Sequence, residues 1–79
     1  MELLIISPQK EILNTTNVDL IECDGIDGKF QILKDHTKMV SVLKSGKIRY
    51  TINNEEKNVY LNKENAILKV ENNKIIILL

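Results

Sequence analysis

The chain carries a single imidazole, His36, and a single thiol, Cys23, so any reaction it ran would have to pass through very few groups. A histidine works as a general base only when a second side chain orients it and a nucleophile lies within reach. Asp35 is its neighbour in sequence, but adjacent residues on an extended chain point to opposite sides. His36 therefore reads as a contact or solvated residue of a loop, and no catalytic residue is expected. Cys23 stands beside Asp24, which disfavours a reactive thiolate. It reads as a small buried hydrophobe in a strand. One Cys excludes an intrachain disulfide, and one Cys with one His makes a metal cluster implausible.

The remaining motifs are equally sparing. Gly25-Ile26-Asp27-Gly28 marks a hairpin by default, and no helix follows it to build a phosphate site. No glycine-rich loop leads into Lys-Ser/Thr, and no His-Glu-x-x-His pair is present. No cofactor is expected. Lys38-Met39 invites comparison with biotin- or lipoyl-carrying domains, but Lys38 leads into an apolar strand, without a turn beside it or an internal repeat. Asp24 and Asp27 bracket a turn, and Glu55 and Glu56 sit at a hairpin tip. Both pairs read as solvated.

Composition narrows the class further. With 79 residues and 43% hydrophobic content the chain is one domain, residues 1–79, able to build a core. A chain this short buries only about 60% of its unfolded surface, so its margin is thin. Eleven basic side chains balance eleven acidic ones, which argues against a nucleic-acid reader. Lys34 and Lys38 flank His36 and are expected to form one modest basic spot. Leu3 to Ile6 is too short for a secretion leader and carries Glu2 where a base is needed. Ile75 to Leu79 is far shorter than the roughly 20 residues of a membrane span. The expectation is an intracellular, soluble chain with no direct membrane insertion.

The elements that must position these residues are strands. No window holds a helical apolar stripe, while short β-branched runs recur between turn signals. Strands are expected at 3–6, 11–13, 18–23, 29–33, 39–43, 47–52, 57–61, 66–70 and 74–78. Turns fall at Ser7-Pro8, Asp27-Gly28, Ser45-Gly46, Asn53-Asn54 and Asn72-Asn73, where Gly and Asn tolerate positive φ. Spacings of about 8–12 residues predict an all-β sandwich or barrel. Ile48, Tyr50 and Ile52 alternate cleanly with Lys47, Arg49 and Thr51, so that strand is half buried. Two strands break the alternation. Leu3-Leu4-Ile5-Ile6 and Ile75-Ile76-Ile77-Leu78-Leu79 are apolar on both faces, covered either by their own domain or by a partner.

Order and spacing along nearly the whole chain resemble the β-domain of the epsilon chain of F-type ATP synthases. Leu3-Leu4-Ile5-Ile6-Ser7-Pro8 followed by Ile12-Leu13 is similar to that family's opening strand, and Val18-Asp19-Leu20-Ile21 to its second. From Gly25 to Gly46 the chain shows the family's Gly-x-x-Gly hairpin, an Ile-Leu pair at Ile32-Leu33, a loop histidine at His36, an apolar strand from Met39 to Leu43 and a closing glycine. Lys47-Ile48-Arg49-Tyr50, Ile67-Leu68-Lys69-Val70 and Asn73-Lys74-Ile75-Ile76-Ile77 continue the match. The departures are specific. Prolines two residues either side of the histidine are here Lys34 and Lys38, a third hairpin glycine is Gln31, and a Ser-Gly-Gly is Glu64-Asn65-Ala66. The loss of proline puts the stiffness of the His36 loop in question. Many epsilon chains continue into a two-helix domain that brakes ATP hydrolysis and can bind ATP; this chain ends with its β-domain, whether as a whole protein or as a piece of one.

The resemblance implies a flattened β-sandwich of about two five-stranded sheets. It implies a non-catalytic subunit of the central rotor, joining the gamma chain to the c-ring and, indirectly, proton flow to the catalytic head. It implies a peripheral position on the cytoplasmic face of a bacterial inner membrane. By motif position, Gly25, Asp27, Gly28, Lys29 and Gln31 would face the polar loops of the c-ring, and His36, Thr37, Met39 and Val40 would lie near gamma and the ring. The residues alone leave a second reading open: a stand-alone β-sandwich that binds a small ligand or a peptide.

Overall fold

The computed structural model describes all 79 residues and contains nine β-strands and no helix. They are β1 (Glu2–Ile6), β2 (Glu11–Thr15), β3 (Val18–Gly25), β4 (Gly28–Leu33), β5 (Met39–Leu43), β6 (Gly46–Ile52), β7 (Glu55–Leu61), β8 (Ala66–Glu71) and β9 (Lys74–Leu78). The expected strands are all present, with ends displaced by at most two residues. The turns form where Asn and Gly allow positive φ: Asn53 and Asn54 at 52° and 64°, Asn72 and Asn73 at 51° and 58°. Asn65, at φ 62°, is another left-handed turn residue.

All nine strands belong to one hydrogen-bonded sheet that curls into two layers, eight in a continuous path and β4 branching from β3. One layer runs β2-β1-β9-β8-β5, the other β4-β3-β6-β7. A single residue pair, Gly25 with Leu43, joins β3 to β5 across the corner. The sandwich is thus five strands against four, rather than five against five. β1 and β9 pair in parallel and the other ladders are antiparallel, so the first and last strands sit side by side.

The core lies between the layers and is one cluster of fifteen buried apolar side chains. Leu3, Ile5, Leu68, Ile75 and Ile77 come from the five-stranded layer, and Ile21, Cys23, Ile32, Ile48 and Tyr50 from the other. No polar or charged residue is buried. A register shift between Val18 and Leu20 changes the phase of β3. Because strand side chains alternate with period two, that shift is what lets Val18 and Ile21 both face inward.

Candidate functional site

The two outward faces of the sandwich differ in kind. On the four-stranded layer, Gln31, Glu22, Arg49 and Glu56 form a polar ladder across β4, β3, β6 and β7. Gln31 Nε2 donates to Glu22 Oε2 at 3.1 Å, Arg49 Nη2 donates to the same oxygen, and Arg49 Nη1 donates to Glu56 Oε1 at 3.2 Å. The Gln31 amide and then Arg49 hold the Glu22 carboxyl below its usual range. The centre of this face is therefore polar, with Leu33 and Tyr60 exposed as separate apolar side chains toward its edges.

The outer face of the five-stranded layer is apolar. Register places its side chains in rows that run across β1, β9, β8 and β5. One row reads Ile6, Leu78, Ile67, Val42 and the next Leu4, Ile76, Lys69, Val40. A third row, at the strand ends, is charged: Glu2, Lys74, Glu71, with Lys38 beyond the start of β5. Val40 is 68% exposed and Leu78 43%, and the rest of the two apolar rows is half-buried or open. The double-sided apolar strands of the sequence are β1 and β9. Their inner faces fill the core, and their outer faces have nothing of this chain over them. Contiguous apolar surface of this kind marks an interaction site.

The Gly25–Gln31 hairpin and the His36 loop lie at opposite ends of β5. Ile26 N–H donates to Val42 O at 3.1 Å and Lys44 N–H to Asp24 O at 2.9 Å, which docks the hairpin tip on the end of β5. His36 and Thr37 precede the start of the same strand, about 13 Å away at 3.3 Å per residue. The two groups of expected site residues therefore do not merge into one patch. Asp27, Gly28, Lys29 and Gln31 are exposed on the hairpin, whereas Gly25 is buried. A Cβ on Gly25 would lie 2.9 Å from Phe30 Cε1 and 3.1 Å from Gly28 O, so Gly25 is there for close approach of Phe30. Gly28, at φ +122°, is the conformational glycine of the turn.

Thr37 and Val40 are exposed, and His36 and Met39 are half-buried, Met39 packing against the core. His36 Nδ1 lies 2.8 Å from Thr37 O and Asp35 turns away from it. Where the family pattern has prolines, the loop is tied instead by a hydrogen-bonded pair that no local motif marks. Asp35, at φ 64°, donates its backbone N–H to Asn73 Oδ1 at 2.6 Å, and Asn73 Nδ2 donates to Asp35 Oδ1 at 2.9 Å. This clamps the His36 loop to the β8–β9 turn, 38 residues away. Two side chains with left-handed preference are the only local hint of it. The expected basic spot around His36 is not free either, because Lys38 Nζ pairs with Glu71 Oε1 at 3.3 Å.

Cys23 is 1% exposed, and burial, helped by Asp24 and Glu22, pushes its thiol up to about 12. It is the buried hydrophobe its setting predicted. The surface concavities are open grooves; one beside the charged row is lined by Glu2, Lys69, Glu71, Asn72 and Lys74, with Ile76 alone apolar. Another open groove, on the outer face of the five-stranded layer, is lined by Lys38, Met39, Val40, Lys69, Val70 and Glu71 and is largely apolar.

The model of the ATP synthase delta/epsilon chain β-sandwich domain matches residues 1–79, the whole chain. The chain belongs to this family. Within it, the chain is 34% identical over 74 residues to the ATP synthase epsilon chain of Chlorobium limicola, spanning 94% of this sequence and 82% of that one. It is 32% identical to the epsilon chain of Pelagibacter ubique over 94% of this sequence, but spans only 55% of that longer chain. Among solved structures, a chain from the central stalk and c-ring of the Tetrahymena thermophila mitochondrial ATP synthase superposes with a TM-score of 0.74 at 18% identity, over 98% of this chain and 60% of that one. At that identity the likeness shows the fold. The family's β-sandwich is the fold described above, and the epsilon-chain resemblance read from the motifs stands.

Proposed function

We propose that this domain is a non-catalytic rotor subunit of a proton-translocating ATP synthase, seated between the gamma chain and the c-ring. The observation that carries this reading is the unequal pair of faces. An epsilon-family domain with one face centred on a polar ladder and the other on contiguous apolar rows has a side that favours a partner. The apolar face of the five-stranded layer packs on gamma. The hairpin, with Lys29 exposed beside its turn, meets the polar loops of the c-ring. The His36 loop, held by Asp35 and Asn73, lies at the joint's edge. Torque passes through the domain as through a solid body, because close-packed interiors resist deformation. The complex holds it peripherally on the cytoplasmic face of a bacterial inner membrane, and it reaches the catalytic head only through gamma.

Titration calorimetry with the cognate gamma chain tests the reading. One-to-one binding with a negative heat-capacity change is expected, the mark of apolar burial. Ile76→Lys on the apolar face is expected to weaken it at least tenfold, since it places an unpaired charge under a covered surface. Absence of wild-type binding at tens of micromolar overturns the reading and leaves a stand-alone interaction module. Lys29→Glu tests the hairpin separately: proton-driven ATP synthesis in reconstituted vesicles should fall while gamma binding is kept. Unchanged coupling in that variant removes the hairpin from the c-ring joint.

A further inference from the structure

The third row of the apolar face carries charges in an order that has a physical consequence. From β1 to β5 it reads Glu2, Lys74, Glu71, Lys38, that is minus, plus, minus, plus. Reversed, the row becomes plus, minus, plus, minus, the complement of itself. A two-fold axis lying in the plane of the face and parallel to the strands makes that reversal. It exchanges β1 with the partner's β5 and β9 with the partner's β8, and leaves position along the strands unchanged. A two-fold interface must be self-complementary in this sense.

We propose that the free chain pairs with a second copy of itself through the outer face of the five-stranded layer. In that arrangement Glu2 stands over Lys38 of the other copy, and Lys74 over Glu71. The apolar rows meet one another likewise, Ile6 over Val42 and Leu78 over Ile67, with Leu4 over Val40 in the second row. Lys69, over Ile76, is the one mismatch. Its long stem lies on apolar surface while its ammonium reaches toward the charged row. Neither Glu2 nor Lys74 has an ion-pair partner within its own chain, so both are available to another. Aligned packing of two sheet faces with roughly 30° between their strands is an ordinary geometry. Four strands spaced about 4.8 Å, each five residues long, span a face of roughly 300 Å² in projection. That is well under the roughly 800 Å² per partner of a stable specific dimer, so the pair is weak, reversible and formed only at high concentration.

Sedimentation equilibrium of the chain by itself tests this, and so stands apart from the rotor reading. Between about 20 µM and about 1 mM, the concentrations at which weak pairing becomes populated, the weight-average mass should rise from 9.1 kDa toward twice that value. Lys74→Glu places like charges opposite one another, two times per dimer, and should weaken association about tenfold. Adding Glu71→Lys to that variant restores complementarity under the same axis and should recover most of the loss. Ile76→Lys should abolish association while far-UV circular dichroism stays that of the wild type. A mass that remains at 9.1 kDa throughout overturns the proposal. Failure of the double charge exchange to recover what the single one lost overturns the axis, and with it the proposed pairing.

Discussion

Cys23 and Gly25, two residues apart on β3, were each legible in kind but not in full. The apolar setting beside an acid marked Cys23 as inert, and its burial explains why. Because the folded thiol ionises near 12 rather than near 9.0, the folded state keeps a proton that the unfolded state loses in between. Stability from this group is therefore fully present below pH 9 and is lost as pH rises toward 12, by about 1.4 kcal/mol per pH unit. Chemical denaturation from pH 9 to 10.5 should show this slope in the wild type and lack it in Cys23→Ala. Iodoacetamide at pH 8 should label Cys23 only on unfolding. Gly25 looked like a turn glycine, yet its φ is not in the left-handed region and its role is contact with Phe30. Gly25→Ala should destabilise by about 1–2 kcal/mol through overpacking. Combined with Phe30→Leu, the effects should be less than additive, because the two residues share one contact. No local signal in Gly-Ile-Asp-Gly distinguishes the glycine that bends from the glycine that makes room.

At the scale of elements, alternation and turn chemistry carried the nine strands almost to their ends. Both are local: side chains alternate within a strand, and Asn-Asn turns need only their own φ preference. The β3 bulge was not visible, since Val18-Asp19-Leu20-Ile21 reads equally well in either phase until β6 pairs with it. The tie on the His36 loop was not visible for the same reason, since it comes from a turn 38 residues on. Asn73→Gly keeps the left-handed turn and removes the clamp, at about 1–2 kcal/mol for two lost hydrogen bonds. Amide exchange of residues 34–38 should quicken by about tenfold with the core strands unaffected. Equal loss of protection everywhere would mean that the clamp supports the whole fold rather than the loop.

For the molecule as a whole, 79 residues leave little spare stability, so a single core truncation is costly. Ile77→Ala, fully buried between the layers, should remove about 2–5 kcal/mol and leave a domain that is partly unfolded at 37 °C; a urea titration gives the number. The sequence alone determined that the chain is all-β, where its strands and turns lie, that β1 and β9 are apolar on both sides, and that the order of motifs is that of the epsilon chain. Each follows from residues close together, or from a pattern that can be matched without a fold. Only the tertiary structure decided what the spare apolar faces of β1 and β9 become. Parallel pairing of the first strand with the last sets Leu4 beside Ile76 and Ile6 beside Leu78 on one face. The same strand order lines up four charges drawn from residues 2, 38, 71 and 74. Which strands become neighbours is settled by packing between distant segments, and no window along the chain contains both sides of that contact.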